Sequence, residues 1–158
     1  MCRADQPRTR APQLPPTILV ADGDPAILEL VEELLTDAGF VVVAVTSAMA
    51  AVRALARGSF AVVVTDPFVF GTYSADNSWA TLSSIRAVAG ATPLVIFSAH
   101  NTGAFADFAA CGFAAVIHKP FDLDVFCAVI QTTIANTQRL SRSTVVQSMP
   151  LCDPQHAR

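Results

Sequence analysis

The chain has no apolar run long enough to cross a bilayer. Its longest hydrophobic stretches, such as Phe40 to Val45 and Phe60 to Val64, are strand-sized, whereas a span needs about 20 residues. No continuous apolar segment precedes Thr17, so no secretory signal is expected. Cysteine is sparse: Cys2, Cys111, Cys127 and Cys152 form no CxxC pair, which argues against a disulfide framework or a zinc site and favours reduced thiols in a cytoplasmic protein. Charged residues are only 15% of the chain and no basic block occurs, so neither nucleic acid nor membrane is an expected partner. There is no GxxxxGK, GxGxxG or GxSxG motif, which leaves nucleotide-binding and serine-hydrolase readings without support.

What is present is a core. Hydrophobic residues make up 53% of 158 residues, enough for one ordinary domain with short tails. Residues 1–16 carry four prolines and an excess of arginine and read as an extended leader. Residues 138–158 read as a polar tail, and the domain is expected over 17–137. That central segment holds eleven acidic residues against Arg53, Arg57, Arg86 and Lys119, a net charge of −7. An acidic surface serves solubility and also permits a cation site.

Within 17–137, strands and helices alternate five times. Strand-like runs occur at Ile18–Ala21, Phe40–Thr46, Phe60–Thr65, Leu94–Phe97 and Ala114–Ile117. Asp24-Pro25 is a helix start, with Asp as N-cap and Pro in the first turn. Ile27, Leu30, Val31, Leu34 and Leu35 then keep helical spacing until Gly39. Further helices are expected over Ser47–Arg57, Ser78–Ala89, Thr102–Cys111 and from Asp122, where Phe126, Val129, Ile130, Thr133 and Ile134 share a face. Residues 67–77 read as a loop. Strict alternation predicts an α/β fold: a doubly wound (βα)5 flavodoxin-like sandwich around a central five-stranded parallel sheet. Ligands of such sheets bind at the carboxyl ends of the strands.

At those ends stand Asp22-Gly23-Asp24, Asp66, Ser98-Ala99-His100 and His118-Lys119-Pro120. Carboxylates with an open position suit Mg²⁺, and a hydroxyl and an ammonium opposite them can grip phosphoryl oxygens. Together they describe a site for placing a phosphoryl group on a carboxylate. Plainer roles compete. Asp24 is well placed to cap a helix, Ser98 to form a turn, and His100 and His118 to lie on the surface. Lys119 is harder to dismiss, being the only lysine beside nine arginines.

The segments ILVADGDPAILELVEELL, FAVVVTDP, PLVIFSA and AAVIHKPFDLDVF, in this order, resemble the receiver domain of response regulators of bacterial two-component systems, the CheY-like family. The resemblance covers about residues 17–137. It implies that Asp66 accepts a phosphoryl group from a histidine kinase or phosphotransfer protein, that Ser98 is the switch hydroxyl, and that Lys119 contacts the phosphoryl oxygens. It also implies a cis Lys119-Pro120 bond and a Mg²⁺ site from Asp22, Asp66 and the Phe68 backbone carbonyl, with Asp24 a weaker candidate. Lys119 is accordingly expected to be a phosphoryl ligand rather than a determinant of the fold.

Three positions depart from the family pattern. Gly23 replaces the second acidic residue, which implies weak Mg²⁺ binding; if glycine is there for a positive φ, an aspartate in its place would destabilise the fold. Val116 stands where an aromatic switch is usual, and PFVFGTYSADNS replaces the usual loop after the acceptor. The chain is therefore expected to be a stand-alone, non-enzymatic receiver. It would signal to a downstream protein or a second copy through the face of the Thr102–Cys111 helix, the fifth strand and the last helix. One alternative is a degenerate receiver that acts as an interaction module without phosphorylation. A remote one is a haloacid-dehalogenase-like phosphatase using Asp22 and Asp24.

Overall fold

The computed structural model describes residues 14–67, 75–99 and 112–147. Five strands, β1 (Thr17–Ala21), β2 (Val41–Val45), β3 (Val62–Thr65), β4 (Leu94–Ser98) and β5 (Ala115–His118), form one parallel sheet in the order β2-β1-β3-β4-β5. Four helices are described: α1 (Pro25–Asp37), α2 (Ala48–Arg57), α3 (Ala75–Ala89) and α4 (Leu123–Gln147). This is the expected doubly wound architecture. Phe68, His100 and the expected helix over Thr102–Cys111 lie outside the described residues, as do the tails beyond 14–147.

The central strands are apolar at nearly every position, Thr65 and Ser98 at their carboxyl ends being buried polar exceptions, because both faces of the sheet are covered. Alternate side chains divide between two cores. Ile18, Val20, Val62, Val64, Val95, Phe97 and Ile117 pack under α1 and α4 with Leu28, Val31, Leu35, Phe126 and Ile130. Leu19, Ala21, Val63, Leu94, Ile96 and Phe113 pack under α2 and α3 with Ala51, Leu82, Ile85 and Ala89. Each Val, Leu, Ile or Phe among them contributes about 1.5–3 kcal/mol when fully buried.

The helix starts follow the local sequence. Asp24 Oδ1 accepts from the Ala26 N–H at 2.9 Å, Ser47 Oγ from Ala50 at 3.2 Å, and Asp122 Oδ1 from Asp124 and Val125 at 2.9 and 3.0 Å. Each satisfies donors that a helix start leaves open. Gly39 ends α1 at φ +89°, while the Phe40 N–H reaches back to the Leu35 carbonyl at 3.0 Å, a left-handed closure that suits glycine.

Three details depart from the sequence reading. α3 begins at Ala75, three residues before the expected Ser78. The inward face of α1 is centred on Leu28, Val31 and Leu35, whereas Leu30 is 41% exposed. At about 100° per residue Leu30 lies a full step from Val31, on the side away from Leu28 and Leu35, where no strand reaches it. We therefore expect Leu28→Ala to lose about 2–4 kcal/mol in urea unfolding and Leu30→Ala to stay within about 0.5 kcal/mol of the natural chain. Equal losses would show that the stripe had been placed wrongly.

Finally, α4 runs to Gln147, through residues expected to be a polar tail. Apolar periodicity fades from Gln138, and residues 138–142 are exposed, with no core beneath them to cover. No glycine or proline interrupts the sequence from Leu123 until Pro150, so nothing local ends the helix. Within α4, Cys127 is half-buried and unbridged. Burial, and secondarily the Asp124 carboxylate, push its thiol above the usual range, which lowers its thiolate fraction.

Candidate functional site

Three backbone hydrogen bonds carry the parallel ladder just past the strand ends and fix the site. The Asp22 N–H donates to the Val45 carbonyl at 3.1 Å, Asp66 to Ala21 at 3.1 Å, and Lys119 to Ser98 at 2.9 Å. Each side chain of interest is thus held on the carboxyl edge by a neighbouring strand rather than by a free loop. Asp22 and Asp66 are buried, at 2% and 7% exposure, and Ser98 is fully buried at the end of β4.

Lys119 joins the two acids. Its Nζ donates to Asp66 Oδ2 at 3.1 Å and also to Asp22 Oδ2. The other Asp22 oxygen, Oδ1, accepts the Asp24 N–H at 2.9 Å, so this carboxylate also braces the turn into α1. The Lys119-Pro120 bond is cis, as the resemblance implies. The ammonium further sits 4.5 Å from the centre of the Phe97 ring. The sequence reading missed that contact, treating Phe97 only as a strand residue.

The structure thus brings together Asp22, Asp66 and Lys119, and seats Ser98 on the adjoining strand. It does not gather Asp24 into a ligand cluster: Asp24 is exposed, its Oδ1 capping α1. Among the described residues no three His, Cys, Asp or Glu side chains converge as a metal centre does. Gly23 is not one of the positive-φ glycines, which among the described residues are Gly39, Gly90 and Gly112. A need for left-handed backbone therefore does not account for this glycine. His118 is exposed, as expected of a surface imidazole.

Two carboxylates that already share one cation are a sparse but chemically suitable donor set for Mg²⁺, which takes one or two carboxylates and keeps several waters. The same geometry revises one expectation. Lys119, with a side chain only 14% exposed, is the counter-charge to two buried acids, so it also supports the fold. Removing one partner of a buried ion pair costs about 3–5 kcal/mol. Lys119→Met should therefore lose about 3 kcal/mol or more in urea unfolding. Lys119→Arg, which keeps the charge on a larger planar group, should lose less stability but impair phosphoryl contact. A Met variant as stable as the natural chain would show the pairs to be unimportant.

Comparison with known proteins gives a consistent answer. Residues 18–131 match the response regulator receiver domain family. The chain is 32% identical over 124 residues to the DNA-binding transcriptional regulator NtrC of Rhizobium meliloti (strain 1021), covering 78% of this chain but only 25% of that regulator. Its fold is similar to a response regulator receiver protein from Sinorhizobium medicae WSM419, at 27% identity and TM-score 0.63, covering 78% of this chain and 97% of that one. It is also similar to the receiver domain of a sensor histidine kinase from Pseudomonas aeruginosa PAO1, solved with a magnesium ion in the active-site cleft. That likeness is at 20% identity and TM-score 0.64, over 77% and 98% of the two chains. Nothing in these findings favours the phosphatase alternative. With the family matched over residues 18–131, from the first strand into α4, the chain belongs to the response regulator receiver domain family, the receivers of phosphorelay signalling.

Proposed function

We propose that Asp66 is the phosphoryl acceptor of this receiver. The observation that carries the reading is a buried carboxylate at the end of a central strand, 3.1 Å from the Lys119 ammonium. Ser98 is fully buried on the neighbouring strand. In the proposed transfer, an Asp66 carboxylate oxygen attacks the phosphorus of a phosphohistidine on a histidine kinase or phosphotransfer protein. The P–N bond breaks, and the imidazole nitrogen leaves with the bonding pair. Lys119 then donates to phosphoryl oxygens, and Ser98 turns its hydroxyl toward the same group. These donors stabilise charge where it develops.

Asp66 and Asp22, the latter through water, would hold Mg²⁺, with the Phe68 carbonyl a further candidate. The ion supplies charge neutralisation between the carboxylate and the incoming phosphoryl group. Gly23 supplies no side-chain oxygen, which supports weak binding. Downstream signalling would use the face of β5, α4 and residues 102–111. Among the described residues, no helix is long and apolar enough to cross a membrane.

The test is to incubate the whole chain with Mg²⁺ and acetyl phosphate, reduce the acyl phosphate with borohydride, and map the product. Reduction at Asp66 is the expected result. A stable protein carrying no label, or carrying it elsewhere, would overturn the assignment.

A further inference from the structure

Lys119 has a third partner besides the two carboxylates. Its Nζ lies 4.5 Å from the centre of the Phe97 ring. Phe97 is wholly buried. It is held edge-on by Phe121, at 4.8 Å between ring centres and 79° between planes, and by Phe126, at 5.3 Å and 65°. Phe121 and Phe126 are themselves 5.2 Å apart. This three-ring cluster leaves Phe97 little freedom to turn, so the face it offers the ammonium is fixed. An aromatic face carries negative potential and attracts a cation within about 6 Å, more strongly where water is excluded.

We propose that Phe97 is a positioning residue for Lys119, a role that rests on the phosphoryl-acceptor reading of Asp66. Neither carboxylate is a constant anchor for the ammonium. When Asp66 gains a phosphoryl group its charge and shape change. A dication drawn to Asp22 and Asp66 competes for the oxygens that Lys119 now holds. The Phe97 ring is altered by neither event. It keeps the ammonium at the strand edge while the carboxylate contacts are exchanged for phosphoryl oxygens, and so supplies preorganisation that the reaction does not consume. With Gly23 in the acidic turn, one fewer carboxylate is available to hold the lysine, and the ring's contribution matters more.

Strand parity explains the arrangement. Phe97 points into the core under α1 and α4. Ser98 alternates to the opposite face. Lys119 follows β5, whose ladder bond to the Ser98 carbonyl brings the base of its side chain beside both residues.

A ring that merely fills the core and a ring that holds the ammonium are separated by changing its electrostatics at nearly constant size. In the full chain, Phe97 is replaced by 4-fluoro-, 3,5-difluoro- and 3,4,5-trifluorophenylalanine, and the rate of Asp66 phosphorylation by acetyl phosphate is measured at saturating Mg²⁺. The rate should fall stepwise with fluorination, by about three- to tenfold at the trifluoro ring. A second measurement needs no phosphoryl group: a double-mutant cycle in urea between Phe97→Leu and Lys119→Met. The cycle should show coupling of about three- to thirtyfold in the unfolding equilibrium constant. An additive cycle overturns the ring–ammonium contact. Coupling accompanied by a flat rate across the fluorinated series overturns the positioning role. If the natural chain takes up no phosphoryl group, the acceptor reading and the positioning role built on it both fail, while the cycle still decides the contact.

Discussion

Asp66→Asn should take up at least about a hundredfold less phosphoryl group from acetyl phosphate than the natural chain, under conditions where both are folded. The carboxylate is the nucleophile in the proposed transfer, and an amide oxygen has neither the charge nor the basicity to replace it. Asn is close to Asp in shape and keeps one oxygen that can accept from Lys119 Nζ, now 3.1 Å from Asp66 Oδ2. An ion pair becomes a hydrogen bond from the ammonium to a neutral amide oxygen, so the stability loss should be about 1–3 kcal/mol, well short of unfolding the domain. Intact-mass measurement after phosphodonor treatment reads the first effect and urea unfolding the second. Labelling that persists in the Asn variant would move the acceptor to another residue. It would leave the burial of Asp66 beside Lys119 as a purely structural pairing.

The second large effect is a gain. Gly23→Asp should tighten Mg²⁺ by roughly one to two orders of magnitude and speed Asp66 phosphorylation. Among the described residues, Asp22 and Asp66 are the carboxylates brought together here, and both are engaged by Lys119. A dication must compete with that ammonium for few charged oxygens, whereas a third carboxylate shifts the competition toward the metal. Gly23 is exposed and lacks the positive φ that a side chain would resist, so the substitution should be tolerated. Calorimetric titration of Mg²⁺ into both proteins is the check. Equal affinities in two folded proteins would mean that another oxygen, that of Asp24 for example, already completes the shell when metal arrives.

The sequence by itself determined the elements and the chemistry at their ends. β-branched runs form strands, and Asp24, Ser47 and Asp122 start helices with their own side chains. These outcomes depend on interactions a few residues long, so they are legible without a fold. The same holds for Asp66, Ser98 and Lys119, because alternation of strand and helix sends every strand end to one edge of the sheet. Where reading failed, a distant partner decided. Leu28 rather than Leu30 faces inward because of where the strands lie beneath α1. The last helix continues to Gln147 although residues 138–142 are exposed and have no core to impose a pattern on them. The meeting of Lys119 with Asp22, 97 residues away, and with Asp66, 53 residues away, follows from the strand order β2-β1-β3-β4-β5. So does its place over Phe97. That order places β3 and β4 between the first strand and the last, and spacing along the chain does not encode it. Only packing of the crossovers on both faces of the sheet, with the ladder bonds that extend past its edge, sets the distances on which the site depends.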